Sequence, residues 1–174
     1  MQMPEQVDLK PNCQGCAALC CVMLPFDAGD AFAFDKAGAE PCRHLSGHAC
    51  TIHARLAEAG FGGCIRFDCL GAGQRVVQQV FGGRSWRDDP TLMAPMEAAF
   101  RAMRRLHEDY GLLLASERLP LTDAERATRQ GLLDGLAMAA PQTEASLLAY
   151  ETGPMPRAVQ GYLATIKQRL TPRR

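Results

Sequence analysis

The stretch CQGCAALCC (residues 13–21) contains four of the eight cysteines in this 174-residue chain. The other four are Cys42, Cys50, Cys64 and Cys69, and residues 70–174 contain none. Thiols that serve only as small packing groups would be scattered along the chain. Their concentration in one part of the chain therefore predicts a shared chemical role.

Whether clustered cysteines bind metal or form disulfides depends on whether the compartment of the protein keeps thiols reduced. The N-terminal stretch MQMPEQVDLKPN lacks a basic patch followed by an apolar run, so we predict no signal peptide. No stretch approaches the about 20 apolar residues of a membrane span, and the formal net charge of zero predicts neither nucleic-acid nor membrane binding. These features predict a cytoplasmic protein with reduced thiols. There an even cysteine count favours metal ligation, and a disulfide framework is the alternative.

Composition predicts a mainly α fold, because aromatic residues make up only 6% of a chain in which apolar residues reach 47%. We expect an irregular, loop-and-short-helix, cysteine-rich metal-binding half packed on a C-terminal helical bundle. The expected divisions are an N-terminal tail (1–12), a cysteine-cluster region (13–90) and a bundle region (91–174), the last two forming one compact unit.

The bundle is predicted from helical periodicity. The first helix, over residues 92–114, carries an apolar stripe. This stripe could face the core of the same chain, or it could face a second subunit in a homodimer. A capping box of Thr122 and Glu125 predicts a second helix toward Ala140, followed by a short helix over 143–150 and a last helix ending near Leu170. The stripe consists of Leu92, Met96, Ala99, Met103, Leu106, Tyr110 and Leu113.

The cysteine-rich half contains three short stretches with helical character, AALCCVML, CTIHARLAEAG and the segment from Gly73 to Phe81. The links between them are too rich in glycine to fold on apolar burial alone. We interpret GAGQ (71–74) as close backbone packing beside the cysteine site and GLLDG (131–135) as a tight contact between helices.

Helical spacing suggests how the thiols are shared. If Cys13, Cys16 and Cys20 lie on one helix, they share a face, whereas Cys21 points about 100° away and belongs to a different ligand set or bridges from the side. Cys64 and Cys69 are placed to form a second pincer. Eight thiolates supply two four-coordinate sites, or one cluster and one zinc ion.

Histidines are the other candidate ligands. His53, three residues beyond Cys50, is a further candidate for metal contact, ahead of His44 and His48. His107 lies on the predicted 92–114 helix, away from the cysteines, and we expect it to be a surface or boundary residue.

The cysteine block resembles the YkgJ-type cysteine-cluster family, described as a zinc- or iron-chelating domain with eight cysteines. The similarity spans roughly residues 13–90, through CQGCAALCC, CRHLSGHACTIHARL and GFGGCIRFDC. It also resembles a subgroup in which the block precedes pentapeptide repeats, although no such repeats follow here. The resemblance implies that all eight cysteines are metal ligands: Cys13, Cys16, Cys20, Cys21, Cys42, Cys50, Cys64 and Cys69.

The function predicted from these observations is binding of Zn²⁺ or a [4Fe-4S] cluster, since thiolate ligands suit both. Neither a P-loop nor an HExxH sequence is present, and no nucleophile arrangement stands out, which favours a binding or scaffold module over an enzyme. The alternatives are metal trafficking and an iron–sulfur enzyme of redox or methyl-transfer type. The block also resembles the flagellin lysine methylase around its cysteines, although no methyl-donor site is recognisable in this chain.

Overall fold

The computed structural model describes residues 7–138 and 140–171. This part of the chain is mainly α-helical, as predicted, and its only sheet is a two-stranded hairpin. None of its helices has the length and apolarity needed to cross a membrane. The helices are α1 (Leu19–Met23), α2 (Gly62–Arg66), α3 (Ala72–Arg75), α4 (Met93–Ser116), α5 (Asp123–Leu136), α6 (Glu144–Thr152) and α7 (Met155–Leu170), and the antiparallel strands are β1 (Leu45–Ser46) and β2 (Ala49–Cys50).

Helix α4 is the centre of the fold and contacts α1, α3, α5, α6 and α7. Pro95 lies in its first turn, where a missing amide hydrogen costs no helical hydrogen bond. Every residue of the predicted apolar stripe is buried, from Leu92 to Leu113. The stripe therefore packs against the core of the same chain, and the prediction of a dimer contact through this face is not needed to account for it.

Local signals set the starts of the bundle helices. The predicted capping box is confirmed: Glu125 N donates to Thr122 Oγ1, and Thr122 N donates to the Glu125 carboxylate. The α5 helix ends at Leu136, so its predicted extension toward Ala140 is wrong. Ala137 adopts a left-handed conformation with φ of 48°, which stops the helix without the usual glycine.

Three helical predictions for the cysteine-rich half need correction. The stretch AALCCVML contains only the five-residue α1, because Ala18 takes a left-handed conformation with φ of 55°. Cys13 lies in a separate 3-10 turn, Cys13–Gly15, so Cys13, Cys16 and Cys20 do not share one helix. The stretch CTIHARLAEAG forms only a 3-10 turn at His53–Arg55. The helix predicted over 73–81 is present as α3 and a π-helical turn, Val76–Val80.

The segment 24–66 contributes no buried residue to the main hydrophobic core, although Leu24 and Leu45 pack against it while partly exposed. Among its residues only Ile52 and Phe61 have buried apolar side chains, and neither belongs to the core around α4. By contrast, Leu19 and Val22 before this segment, and Val76 after it, are fully buried in that core. Within the segment, the rings of Phe26, Phe32 and Phe34 contact Phe61 and form an aromatic cluster of their own. Apolar burial thus contributes less to the segment 24–66 than to the bundle.

Candidate metal centre

The eight cysteines are free thiols carried on four separate parts of the fold. Four lie along residues 13–21, two on or beside the β hairpin, one in α2 and one just before α3. Cys13 and Cys64 are exposed, and the other six are partly buried. The thiols therefore come from several segments, and most of them are partly shielded from solvent.

The turn that carries Cys13 and Cys16 is fixed against α3. Gln74 in α3 accepts from the Asn12 amide (3.2 Å) and donates to the Lys10 carbonyl (2.7 Å), while Gln78 donates to the Gly15 carbonyl (3.0 Å). The N-terminal end of the same helix is joined to Cys69, whose carbonyl accepts from the Ala72 amide (2.9 Å). Cys69 and the 13–16 turn are therefore neighbours.

A glycine lets this turn approach α3. A Cβ atom added at Gly73 would lie only 2.5 Å from Cys16 Sγ, so a side chain there would occupy the place of the thiol. The Cys16 sulfur also accepts a hydrogen bond from the Leu19 amide (3.5 Å). This confirms the prediction that GAGQ packs its backbone closely beside the cysteines. For GLLDG the result is divided: Gly135 packs against Met155, whereas an added Cβ at Gly131 meets no described atom within 4 Å.

A second set of contacts joins the cysteines of the hairpin to Cys21. The Cys42 amide donates to the Cys21 carbonyl (3.0 Å), and the Leu45 amide donates to the Cys42 carbonyl (2.9 Å). Leu45 is in turn paired with Cys50 across the two strands. Backbone hydrogen bonds thus lead from Cys21 through Cys42 to Cys50.

Aromatic packing holds α2, and with it Cys64, near the hairpin. The Gly63 amide donates to the Ala31 carbonyl (2.9 Å), and the Phe32 ring covers Gly63 where a Cβ atom would otherwise stand. Phe61, just before α2, meets the His44 ring edge-on at 5.3 Å between ring centres. His44 is two residues from Cys42, so this contact brings the segments of Cys42 and Cys64 together.

A buried ammonium lies in the same region, which sequence reasoning did not single out. Lys36 is 6% exposed, and its Nζ donates to the carbonyls of Val22 (2.9 Å), Ala37 (2.9 Å) and Glu40 (2.8 Å). These bonds use all three donors of the ammonium. Lys36 therefore fixes a positive charge next to α1, the helix that carries Cys21.

The protonation of the thiols shows how close they lie. Burial raises the pKa of Cys16 to about 11, and the nearby Cys69 and Cys13 add to the rise. Burial likewise raises the pKa of Cys64 to about 11, with contributions from Cys21, Cys42 and Cys50, but not from Cys69. The pincer of Cys64 and Cys69 stays a prediction.

The adjacent pair, Cys20 and Cys21, has sulfur atoms 3.9 Å apart. This contact raises the pKa of Cys20, whose proton is shared with its neighbour, and lowers the pKa of Cys21, which accepts it. In residues 7–138 and 140–171, no three His, Cys, Asp or Glu side chains stand together as the ligands of one ion. Of the thiols in these residues, only the neighbouring Cys20 and Cys21 are in direct sulfur–sulfur contact.

The three candidate histidines differ in their surroundings. His53 is exposed and is not brought next to the thiols by any hydrogen bond of the described residues. His48 Nε2 lies 2.8 Å from Ser85 Oγ, with its ring edge toward Trp86, while the His44 ring packs on Phe61. These contacts give His44 and His48 packing roles around the cysteine segments.

His107 is fully buried, so the expectation that it lies at the surface or at the boundary of the core is wrong. Its Nδ1 lies 2.6 Å from the Leu70 carbonyl, and Arg75 Nη1 lies 3.4 Å from its Nε2. Because a guanidinium can only donate, Nε2 is the acceptor and Nδ1–H donates to Leu70. A neutral histidine on α4 thus holds the residue next to Cys69, a contact between distant residues that helical periodicity does not reveal.

The burial of His107 predicts that stability depends on pH. Burial lowers the pKa of His107 to about 4, with a smaller effect from Arg75, whereas the unfolded chain takes up this proton near pH 6.5. The unfolded state binds more protons between these values, so stability present above pH 6.5 is lost as the pH falls toward 4, by about 3 kcal/mol. His107→Asn keeps a donor for Leu70 but cannot titrate.

Urea unfolding of both proteins at several pH values tests this expectation. Between pH 7 and 4, His107→Asn should lose about 3 kcal/mol less free energy of unfolding than the unmodified protein. Acid release of any bound metal affects both proteins alike, so their difference isolates His107. Parallel pH profiles would contradict the expectation.

Comparison with known proteins gives a partial match. A stretch of 102 residues, 58% of this chain, is 47% identical to the uncharacterized protein YybG of Bacillus subtilis (strain 168) and covers 37% of that protein. The chain thus spans little more than a third of the length of this relative. No family model and no solved structure matches the chain.

Proposed function

We propose that this protein binds metal through its eight cysteines, holding Zn²⁺ or an iron–sulfur cluster as a binding or scaffold module. The resemblance to the YkgJ-type cysteine-cluster family belongs to the same proposal. The observation that carries it is that four chain segments bring the eight free thiols into one part of the fold. The Cys20 and Cys21 sulfur atoms are 3.9 Å apart, a backbone hydrogen bond joins Cys42 to Cys21, and Cys16 Sγ fills the space above Gly73. A dedicated nucleophile would not need seven neighbouring thiols.

The donor set fits a soft metal. Thiolate-only ligation is typical of structural zinc and of iron–sulfur clusters, and both need the thiols deprotonated. Burial raises the pKa of Cys16 and Cys64, so in the metal-free protein these thiols keep their protons at neutral pH. A cation would displace the protons and relieve the crowding of sulfur atoms. The glycine at position 73 leaves room for the Cys16 sulfur at the centre of this arrangement.

Elemental analysis of protein purified without oxygen tests the proposal and distinguishes the two metals. We expect stoichiometric metal: brown protein with acid-labile sulfide if a cluster is bound, or colourless protein with zinc. Protein that contains no metal after preparation in iron- and zinc-replete medium, and that takes up neither in vitro, would contradict the proposal. Rapid transfer of the metal to a weak chelator would support metal trafficking instead of a permanent module.

A further inference from the structure

We infer that the eight thiols form two separate metal sites, which meet at the Cys20–Cys21 peptide. The inference rests on the proposed metal binding and adds the assignment of the ligands. The inner site consists of Cys13, Cys16, Cys20 and Cys69, and the outer site consists of Cys21, Cys42, Cys50 and Cys64.

The inner site is assigned from contacts around α3. Gln74 of α3 and Gln78 of the following π-helical turn fix the 13–16 turn beside α3. Cys69 lies at the N-terminal end of α3, where its carbonyl accepts from the Ala72 amide. Cys16, Cys20 and Cys69 all pack against the main hydrophobic core. Cys13 is carried by the same fixed turn, so the contacts around α3 and with the core place these four thiols in one set.

The outer site is assigned from a different set of contacts. Backbone hydrogen bonds join Cys21, Cys42 and the strand pair that contains Cys50, and the Phe61–His44 contact brings α2 with Cys64 to the same hairpin. None of these four cysteines packs against the main core of the described residues. The outer site therefore belongs to the segment 24–66, which has little apolar burial of its own.

Cys13 lies where the two sets of thiols approach one another. The pKa of Cys13 is raised first by burial and then by Cys69 of its own set and Cys21 of the outer set. The neighbours that raise the pKa of Cys64 after burial, Cys21, Cys42 and Cys50, all belong to the outer set. Four thiolates around each ion satisfy the tetrahedral preference of zinc. Four thiolates around one divalent ion leave an excess of negative charge, and the buried Lys36 offsets this charge beside the outer site.

The adjacency of the two sites follows from the position of Cys20 and Cys21. Residues next to each other in α1 project about 100° apart, so neighbouring cysteines can serve two ions but crowd around a single one. Their sulfur atoms are 3.9 Å apart, and this pair forms the junction between the sites. The assignment of Cys21 to the outer site adopts the sequence prediction that Cys21 belongs to a different ligand set from Cys13, Cys16 and Cys20.

Stepwise removal of metal from the unmodified protein tests the assignment. Zinc-loaded protein is titrated with a chelator, the metal content is followed by native mass spectrometry, and the thiols released are alkylated and mapped. We expect the first ion to leave with Cys21, Cys42, Cys50 and Cys64, because the outer site lies outside the core. Release of a mixed set of four, or of all eight at once, would overturn the assignment while leaving metal binding intact.

Paired substitutions give a second test that does not depend on the order of release. Cys42→Ser with Cys50→Ser removes two ligands of one site, and metal content should fall from two ions per chain to one. Cys64→Ser with Cys69→Ser removes one ligand from each site, and both ions should be lost or weakened at least tenfold. One tightly held ion in the second variant would overturn the assignment. Unmodified protein with eight reactive thiols and no bound zinc would instead contradict the proposed function itself.

Discussion

Removal of the metal is expected to unfold the segment 24–66 while α4–α7 remain helical. This segment has only Ile52 and Phe61 as buried apolar side chains, and both lie outside the main core. A closed thiolate zinc site contributes an apparent binding free energy of about 10–16 kcal/mol, which equals or exceeds the about 5–15 kcal/mol net stability of a typical domain. The bundle has a core of its own around α4, so it does not depend on the metal to the same degree.

Hydrogen exchange measured before and after chelation resolves the two regions. Amides of the β hairpin and α2 should lose protection, whereas those in the middle of α4 should keep it, and circular dichroism should decrease only in part. Trp86 is the single tryptophan of the chain, and its Nε1 donates to the Ala17 carbonyl between Cys16 and Cys20 (2.7 Å). Its fluorescence should therefore change as the metal leaves. Unchanged exchange in demonstrably metal-free protein would contradict this expectation, and restored protection after zinc is added back is the control.

Replacement of Gly73 by alanine is expected to weaken the metal site without a general loss of helix. Alanine favours a helix over glycine by about 0.5–1 kcal/mol, so local propensity alone would make this change stabilising. The added Cβ would, however, lie 2.5 Å from Cys16 Sγ, with the Phe100 ring at 3.9 Å on the core side. The thiol must move out of position, and we expect metal affinity to fall about 10–100-fold, as when ligand orientation is disturbed at other metal sites.

Gly131→Ala is the matched control for this substitution. Gly131 also lies within a helix, α5, but an added Cβ there meets no atom of the described residues within 4 Å. Gly131→Ala should leave metal affinity unchanged and slightly raise the free energy of unfolding. Competition titrations with a chromophoric chelator, made on both variants, compare the affinities. Equal affinity of Gly73→Ala and the unmodified protein would show that Cys16 does not need its observed position.

The helical bundle was predictable because its signals are local. The four-and-three spacing of apolar residues in α4, and the Thr122–Glu125 capping box of α5, are each contained within a few turns of chain. The end of α5 was misplaced because Ala137 takes a left-handed conformation, which is unusual for alanine and therefore not predicted from the sequence. In the bundle, what sequence reasoning missed was therefore one helix end and not an element.

The arrangement of the cysteines was less predictable because it depends on distant contacts. The extended residue Phe67 separates Cys64 in α2 from Cys69 beside α3, so the two cysteines lie on different elements despite their short spacing. The burial of His107 depends on Leu70 and Arg75, more than thirty residues away. That of Lys36 depends on three carbonyls, one in α1 and two in the loop after it. Helical periodicity does not predict such distant partners. The clustering of the cysteines, by contrast, is visible directly in the sequence.

X-ray absorption at the K edge of the bound metal tests thiolate ligation most directly. The spectrum reports the type, number and distance of the atoms around the metal, and it can be recorded on the unmodified protein. If zinc is bound, we expect four sulfur neighbours at about 2.3 Å and no shell of nitrogen or oxygen. If iron is bound, we expect a sulfur shell together with neighbouring iron atoms. A first shell dominated by nitrogen and oxygen would contradict ligation by the cysteines.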